Sequence, residues 1–173
     1  MAEPPERAPP RDPWTHLAAH TPARIALGRA GPGLPTREVL GFALSHAQAR
    51  DAVHTPFAAD AVARQIEAQG LAPLMVESAA PNRATYLRRP DLGRRLSDRA
   101  RGQLADLKTA PCDLAIVVAD GLSSAAVHAH AAPLVAALRP RIESLSIGPV
   151  AIARQGRVAL GDEIGEALSL IHI

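Results

Sequence analysis

One stretch constrains the fold more than any other: CDLAIVVADG, residues 112–121. Its aliphatic residues follow one another without polar alternation and end in turn formers, the pattern of a strand buried on both faces. A strand of that kind needs helices above and below it, which predicts a parallel sheet. APLMVES (72–78) and SLSIGPVAIARQ (144–155) read as two further strands. Between strands, LSSAAVHAHAAPLVAALRP (122–140) reads as a helix that Pro133 kinks or divides into two pieces. Strand, helix, strand and helix in that order make a right-handed α/β unit. The expected class is therefore α/β, a Rossmann-like parallel sheet with flanking helices, preceded by a helical N-terminal segment.

Helical signals fill most of the remainder. A short helix is expected over Trp14–His20, and Gly31, Pro32, Gly33 and Pro35 then force a loop. Thr36 is placed to cap a helix on which Val39, Leu40, Ala43, Leu44 and Ala47 share one face, and a second helix over 59–69 is ended by Gly70. Pro90–Leu107 reads as one long helix, with Leu92, Leu96, Ala100, Leu104 and Leu107 forming an apolar stripe opposite Arg94, Arg95, Asp98 and Arg101. Near the end, Asp162 is expected to cap a last helix, with Glu163 and Glu166 near its positive pole. The organisation expected is a Pro-rich, disordered leader over 1–13, a helical segment over 14–70, and an α/β domain over 71–168.

Composition narrows the functional classes. Aromatic residues are only 2% of the 173, so Ala, Leu, Val and Ile must fill the core. Lys108 is the single lysine among 19 basic residues, and a formal net charge of +2 with no aromatic stacking platform argues against nucleic acid as a partner. No segment approaches the roughly 20 apolar residues of a membrane helix. With Cys112 as the only cysteine, an internal disulfide and a cysteine-based zinc cluster are excluded, and the expected compartment is the cytoplasm.

Several apparent sites fail on spacing. GRAGPG (28–33) imitates a dinucleotide loop with its glycine spacing reversed and Pro32 inside it, so a plain turn is expected. Asp120, Ser123 and His128 are the residue types of a hydrolytic triad, but the surrounding residues are not a nucleophile elbow, and Ser123 reads as a helix cap. His128 and His130 diverge on a helix. His16 and His20 have the four-residue spacing of a metal pair but no third ligand, so no metal site is expected. In YLRRPDLGRRL (86–96), Arg88, Arg89, Arg94 and Arg95 surround Asp91, and they are expected to face acidic groups of a protein partner rather than water alone.

Five stretches in order, TPARIALGRAG…LPTRE (21–38), HAQARDAV (46–53), YLRRPDLGRRL (86–96), VVADGLSSAAV (117–127) and RVALGDEIGE (157–166), resemble the small (light) subunit of ethanolamine ammonia-lyase. The resemblance runs from Thr21 to Ala167. It implies an adenosylcobalamin-dependent lyase that converts ethanolamine to acetaldehyde and ammonia, in a hetero-oligomer whose large barrel subunit carries the catalytic residues. No catalytic residue is therefore expected in this chain. The resemblance further implies that Val158 contacts cobalamin, and adjacency adds Gly156 and Arg157. It also implies ethanolamine catabolism, in the cytoplasm or inside a bacterial microcompartment. A non-catalytic assembly or encapsulation module and a free-standing α/β hydrolase are the alternatives.

The closing string LSLIHI (168–173) departs from that resemblance. The light subunit continues past this point through segments that carry a Glu and a Cys contacting cobalamin. A transposase mosaic-end adapter read in this frame encodes the same six residues, so a non-native tail over 169–173 is expected after a C-terminal truncation. The sheet is then expected to be incomplete, and the fragment aggregation-prone and poor at supporting cobalamin-dependent turnover.

Overall fold

The computed structural model describes residues 12–107 and 112–168. The tail expected over 169–173 and nearly all of the leader expected over 1–13 lie outside the described residues. The chain divides into two compact units, residues 1–48 and 49–173.

In the first unit the segment Thr15–His20 forms a 3-10 helix, anchored where the Trp14 N–H donates to Asp12 Oδ1 at 2.9 Å. GRAGPG is a turn: Ala30 and Gly33 exchange backbone hydrogen bonds of 2.9 and 3.2 Å, with Gly28 and Gly31 at φ +75° and +61°. Helix α1 runs Thr36–His54. Within the first unit the Arg24 guanidinium donates to the Gly41 carbonyl and Ser45 Oγ and lies over the Phe42 ring.

The second unit is a three-stranded parallel sheet with helices on both faces. Its elements are α2 (Ala59–Glu67), β1 (Pro73–Glu77), α3 (Arg83–Arg88), α4 (Asp98–Ala105), β2 (Val117–Ala119), α5 (Ser124–Leu138), β3 (Val150–Arg154) and α6 (Leu160–Ala167). The strand order is β1-β3-β2, so β3, the last of the described strands in sequence, is the central one. Leu74 and Val117 both register with Ala151, and Met75 and Val118 both register with Ile152.

Alternation across the pleat divides the core in two. Ala151 and Ala153 of β3, with Leu74 and Val76 of β1, pack beneath Ala100 and Leu104 of α4 and Leu160 and Ile164 of α6. Val150 and Ile152, with Val118 of β2, face Val62 and Ile66 of α2 and Ala132 and Val135 of α5. The first four residues of β3 are buried, which explains its unbroken aliphatic sequence. Each buried Val, Leu or Ile side chain contributes roughly 1.5–3 kcal/mol through removal from water.

Three helix expectations are corrected. Pro90–Leu107 is not one helix: a 3-10 turn at Leu92–Arg94 is followed by extended residues, and α4 begins at Asp98. Pairing with the end of β1 breaks the helix, because Ala79 N–H donates to the Arg95 carbonyl at 2.8 Å and Ser97 N–H to the Glu77 carbonyl at 3.1 Å. Ser97 then caps α4, its Oγ accepting from Ala100 N–H at 3.1 Å. Helix α6 starts at Leu160 after Ala159, which places Asp162 in the first turn rather than at the cap. Pro133 does not divide its helix into two pieces: α5 runs Ser124–Leu138 through it, and Ala129, whose carbonyl loses its helical donor there, is exposed to water.

Candidate functional site: the turns beyond the strand ends

Two chain reversals stand side by side at the carboxyl ends of the neighbouring strands β2 and β3. After β2 comes Asp120-Gly121-Leu122, and after β3 comes Gln155-Gly156-Arg157-Val158-Ala159. Gly121 at φ +49° and Gln155 at φ +55° occupy the left-handed region and turn each chain sharply off the sheet. In open parallel sheets this edge is where ligands lodge.

One buried carboxylate joins the two turns. Asp120 is 2% exposed, and its Oδ1 accepts the Gly156 N–H at 3.0 Å. Its Oδ2 lies 3.5 Å from Arg83 Nη1. That guanidinium, carried on α3, also donates to the Gly121 carbonyl at 2.9 Å through Nη1 and to the Val53 carbonyl at 2.7 Å through Nε. Burial pushes the Asp120 carboxyl up from its ordinary value, while the N–H groups of Gln155, Gly156 and Gly121 and the Arg83 charge pull it back.

Tyr86 holds the next peptide, on the other side of Gly156. Its hydroxyl donates to the Gly156 carbonyl at 3.3 Å, so Gly156 is fastened through both its N–H and its C=O. The Arg83 and Arg157 guanidiniums lie over the Tyr86 ring at 4.7 and 4.6 Å. Burial raises the Tyr86 phenol above its usual value, with Arg157 as the largest opposing influence. Arg157 is pinned by its own N–H, which donates to the Gly93 carbonyl at 2.8 Å, and by Nη2, which donates to the Tyr86 carbonyl at 3.3 Å. A methyl group at Gly93 would meet the Tyr86 ring at 2.9 Å, so the close approach requires glycine there.

Outside this network lies an open cleft of about 860 Å³, bordered by Val117, Leu122, Arg94, Arg157, Val158 and Ala159 among others. Val158 is 98% exposed at its rim. Of the residues singled out from sequence, Gly156, Arg157, Val158 and Arg94 therefore border one cleft. Arg88, Arg89 and Arg95 are exposed but do not line it. Arg89 is engaged locally, donating to both oxygens of Asp91 at 2.9 and 2.7 Å, and this pairing holds the Asp91 carboxyl down at about 2. Sequence reasoning missed Arg83 and Tyr86, and it set Asp120 aside with the discarded triad without giving it another role. The available signal was an acidic residue followed by glycine at the end of a buried strand.

The triad types are engaged separately. Ser123 Oγ accepts from Ala126 N–H at 3.1 Å and caps α5, as its sequence position suggested. His128 Nε2 accepts from Ala58 N–H at 2.9 Å, with its ring stacked on Phe57, and Asp120 faces Gly156. Among the described residues, no group of three or more His, Cys, Asp or Glu is placed to hold a metal ion, and no helix is long and apolar enough to cross a membrane.

Residues 11–173 match the family described as ethanolamine ammonia-lyase light chain (EutC). The chain is 53% identical over 163 residues to the ethanolamine ammonia-lyase small subunit of Ralstonia nicotianae, covering 91% of this chain and 60% of that protein. It is 51% identical over 165 residues to the small subunit of Xanthomonas campestris pv. campestris, covering 92% and 61%. With the small subunit of Pseudomonas syringae pv. tomato it shares 49% identity over 173 residues, covering 97% and 60%. The chain thus spans about 60% of the length of the curated relatives it matches.

Proposed function

We propose, from the premise that this chain belongs to the ethanolamine ammonia-lyase light chain family, that it forms one wall of an adenosylcobalamin site completed by a large subunit. The assembled enzyme converts ethanolamine to acetaldehyde and ammonia. The observation that carries this reading is the Gly156–Val158 turn, which puts Val158 98% exposed at the rim of an open cleft beyond the strand ends.

The residues present fit such a group. The cleft offers aliphatic surface from Val117, Ala119, Leu122 and Val158, suited to the apolar plane of a corrin, and donors from Arg94 and Arg157, suited to the amide oxygens that fringe it. When bound, the cofactor supplies the radical through homolysis of its cobalt–carbon bond. This chain's residues bind and orient. Val158 and Leu122 present apolar contact, Arg157 is held against Tyr86 with its guanidinium fixed, and Gly156 lets the turn lie close to the sheet. None of these groups moves a proton in the reaction. The chain is assigned a binding role, with catalysis on the large subunit.

Arg88, Arg89, Arg94 and Arg95, all exposed, supply a cationic face for acidic groups of that subunit. The site of action is the cytoplasm or a protein-shelled microcompartment within it, and the cellular role is ethanolamine catabolism.

The test pairs assembly with cofactor binding. A light chain of full family length carrying these residues should co-purify with the large subunit, and Val158→Asp should weaken hydroxocobalamin binding by about tenfold, the ~1.4 kcal/mol scale of one buried apolar contact. The light chain alone, given ethanolamine and adenosylcobalamin, should form no acetaldehyde. Failure to associate with the large subunit would overturn the reading and leave the non-catalytic assembly module in its place.

A further inference from the structure

We infer that Asp120, Arg83 and Tyr86 are positioning residues that preset the Gly156–Val158 turn for its ligand before any ligand arrives. The inference rests on the proposed cobalamin reading and deepens it. Three observations support it.

First, both backbone polar groups of Gly156, one from each of its flanking peptides, are held by side chains from elsewhere in the fold: the N–H by Asp120 at 3.0 Å and the C=O by Tyr86 at 3.3 Å. A turn fastened at two successive peptides in this way has little freedom to pivot, so the direction in which Val158 points is fixed by Tyr86, which lines the cleft, and by Asp120, which does not. Second, the turn could not relax by sinking onto the sheet. The Gly156 Cα already stands so close that an added methyl would meet Ala119 Cβ at 3.0 Å and Leu160 Cδ2 at 3.1 Å. Third, Arg83 fixes the anchor itself. It reaches Asp120, the Gly121 carbonyl and the Val53 carbonyl together, which a lysine ammonium on a flexible stem does not reproduce.

Burying a charged pair here carries a desolvation cost that hydrophobic residues of similar volume would avoid. What the pair supplies instead is orientation. A turn ordered in advance spares the ligand the entropy of ordering it, and so raises affinity. The raised pKa of Asp120 is the mark of that desolvation cost, which the geometry of the turn offsets.

The experiment uses the full-length light chain assembled with its large subunit, titrated optically with hydroxocobalamin. Asp120→Ala should weaken binding about tenfold or more, whereas Asp120→Asn, which keeps an oxygen for the Gly156 N–H, should recover most of that loss. Arg83→Lys should fall between them. A merely structural role predicts the opposite split: lowered unfolding temperatures with cobalamin affinity unchanged in the assembled complex, and that result overturns the inference. Val158→Asp separates the two levels. If it weakens binding while Asp120→Ala does not, positioning fails and the cobalamin reading stands; if neither weakens binding, the cobalamin reading fails with it. Hydrogen exchange on the unmutated complex needs no variant to fold. Amides of residues 155–158 should exchange slowly before cobalamin is added, and fast exchange that slows only on binding would show a turn ordered by its ligand.

Discussion

Gly156→Ala adds a single methyl group at the most crowded glycine of the strand-end turn. The new Cβ would meet Ala119 Cβ at 3.0 Å, Leu160 Cδ2 at 3.1 Å and Ala153 Cβ at 3.3 Å. Two of those three neighbours are alanine methyls fixed to strand backbone, with no rotamer through which to withdraw. Gly156 cannot swing aside without stretching the Asp120 and Tyr86 hydrogen bonds on its two flanking peptides. Overpacking of this kind costs about 1–3 kcal/mol, and the rigid neighbours place this case at about 2–3. For a chain of this size that is a drop of roughly 5–10 °C in Tm. Thermal unfolding followed by far-UV circular dichroism measures it. Gly102→Ala in the interior of α4 is the matched control, because nothing lies within 4 Å of its added Cβ. There the same substitution should stabilise by about 0.5–1 kcal/mol through reduced backbone entropy and better helix propensity. If Gly156→Ala melts within about 1 °C of the parent, the turn is looser than the distances say and the reasoning fails.

Ser123→Ala removes the oxygen that accepts from Ala126 N–H and should cost about 1 kcal/mol, read in the same melts; an unchanged Tm would mean another group caps α5. Simultaneous charge reversal of Arg88, Arg94 and Arg95 should weaken capture of the large subunit and ease its salt dependence, while unchanged association would return these side chains to the role of a solvated surface. Asp91, with its folded value near 2 against an ordinary 3.8, contributes stability above the ordinary value and loses it as pH falls through the folded one. The Tm difference between the parent and Asp91→Asn should therefore close as pH falls from 3.8 toward about 2, and a difference constant across that window would contradict the pairing. Asp120 has the opposite sign: its folded value is raised, so its contribution is fullest below the ordinary carboxylate range and is lost as pH rises through the folded value.

Much of the layer architecture was legible because burial on two faces leaves a mark that needs no knowledge of partners. The string at 150–153 is the strand buried on both faces, whereas the run at 112–121 supplies only the edge strand Val117–Ala119, of which Val118 alone is buried; Ser123 announces a cap from its immediate neighbours. Periodicity misled over Pro90–Leu107, and the failure is informative. Leu96, Ala100 and Leu104 are all buried, as the stripe required, yet Leu96 reaches the core from extended backbone that pairs with Ser78. Helical spacing predicted which residues are inside but not the conformation that puts them there. The anchoring of the strand-end turn was out of reach for a different reason. Asp120 and Gly156 are 36 positions apart, and Tyr86 and Gly156 are 70 apart, so the contacts exist only once the strand order is known. Nothing local in "VVADG" distinguishes an aspartate that accepts a distant amide from one that caps a turn.

The strand order also governs how the molecule comes into being. Among the described strands, β1 and β2 each pair only with β3, and β3 begins at Val150. A growing polypeptide that has passed residue 77 and residue 119 holds two strands that cannot pair with each other in the native manner; the slot between them waits for Val150–Arg154, which is made after both. Every ladder bond of the three described strands is consequently long in sequence separation, which slows the search and postpones the gain until β3 is present. During translation the exposed flanks of β1 and β2 are open to mispairing, and a chaperone that shields them until Val150–Arg154 emerges would be acting on the one step this topology cannot hasten.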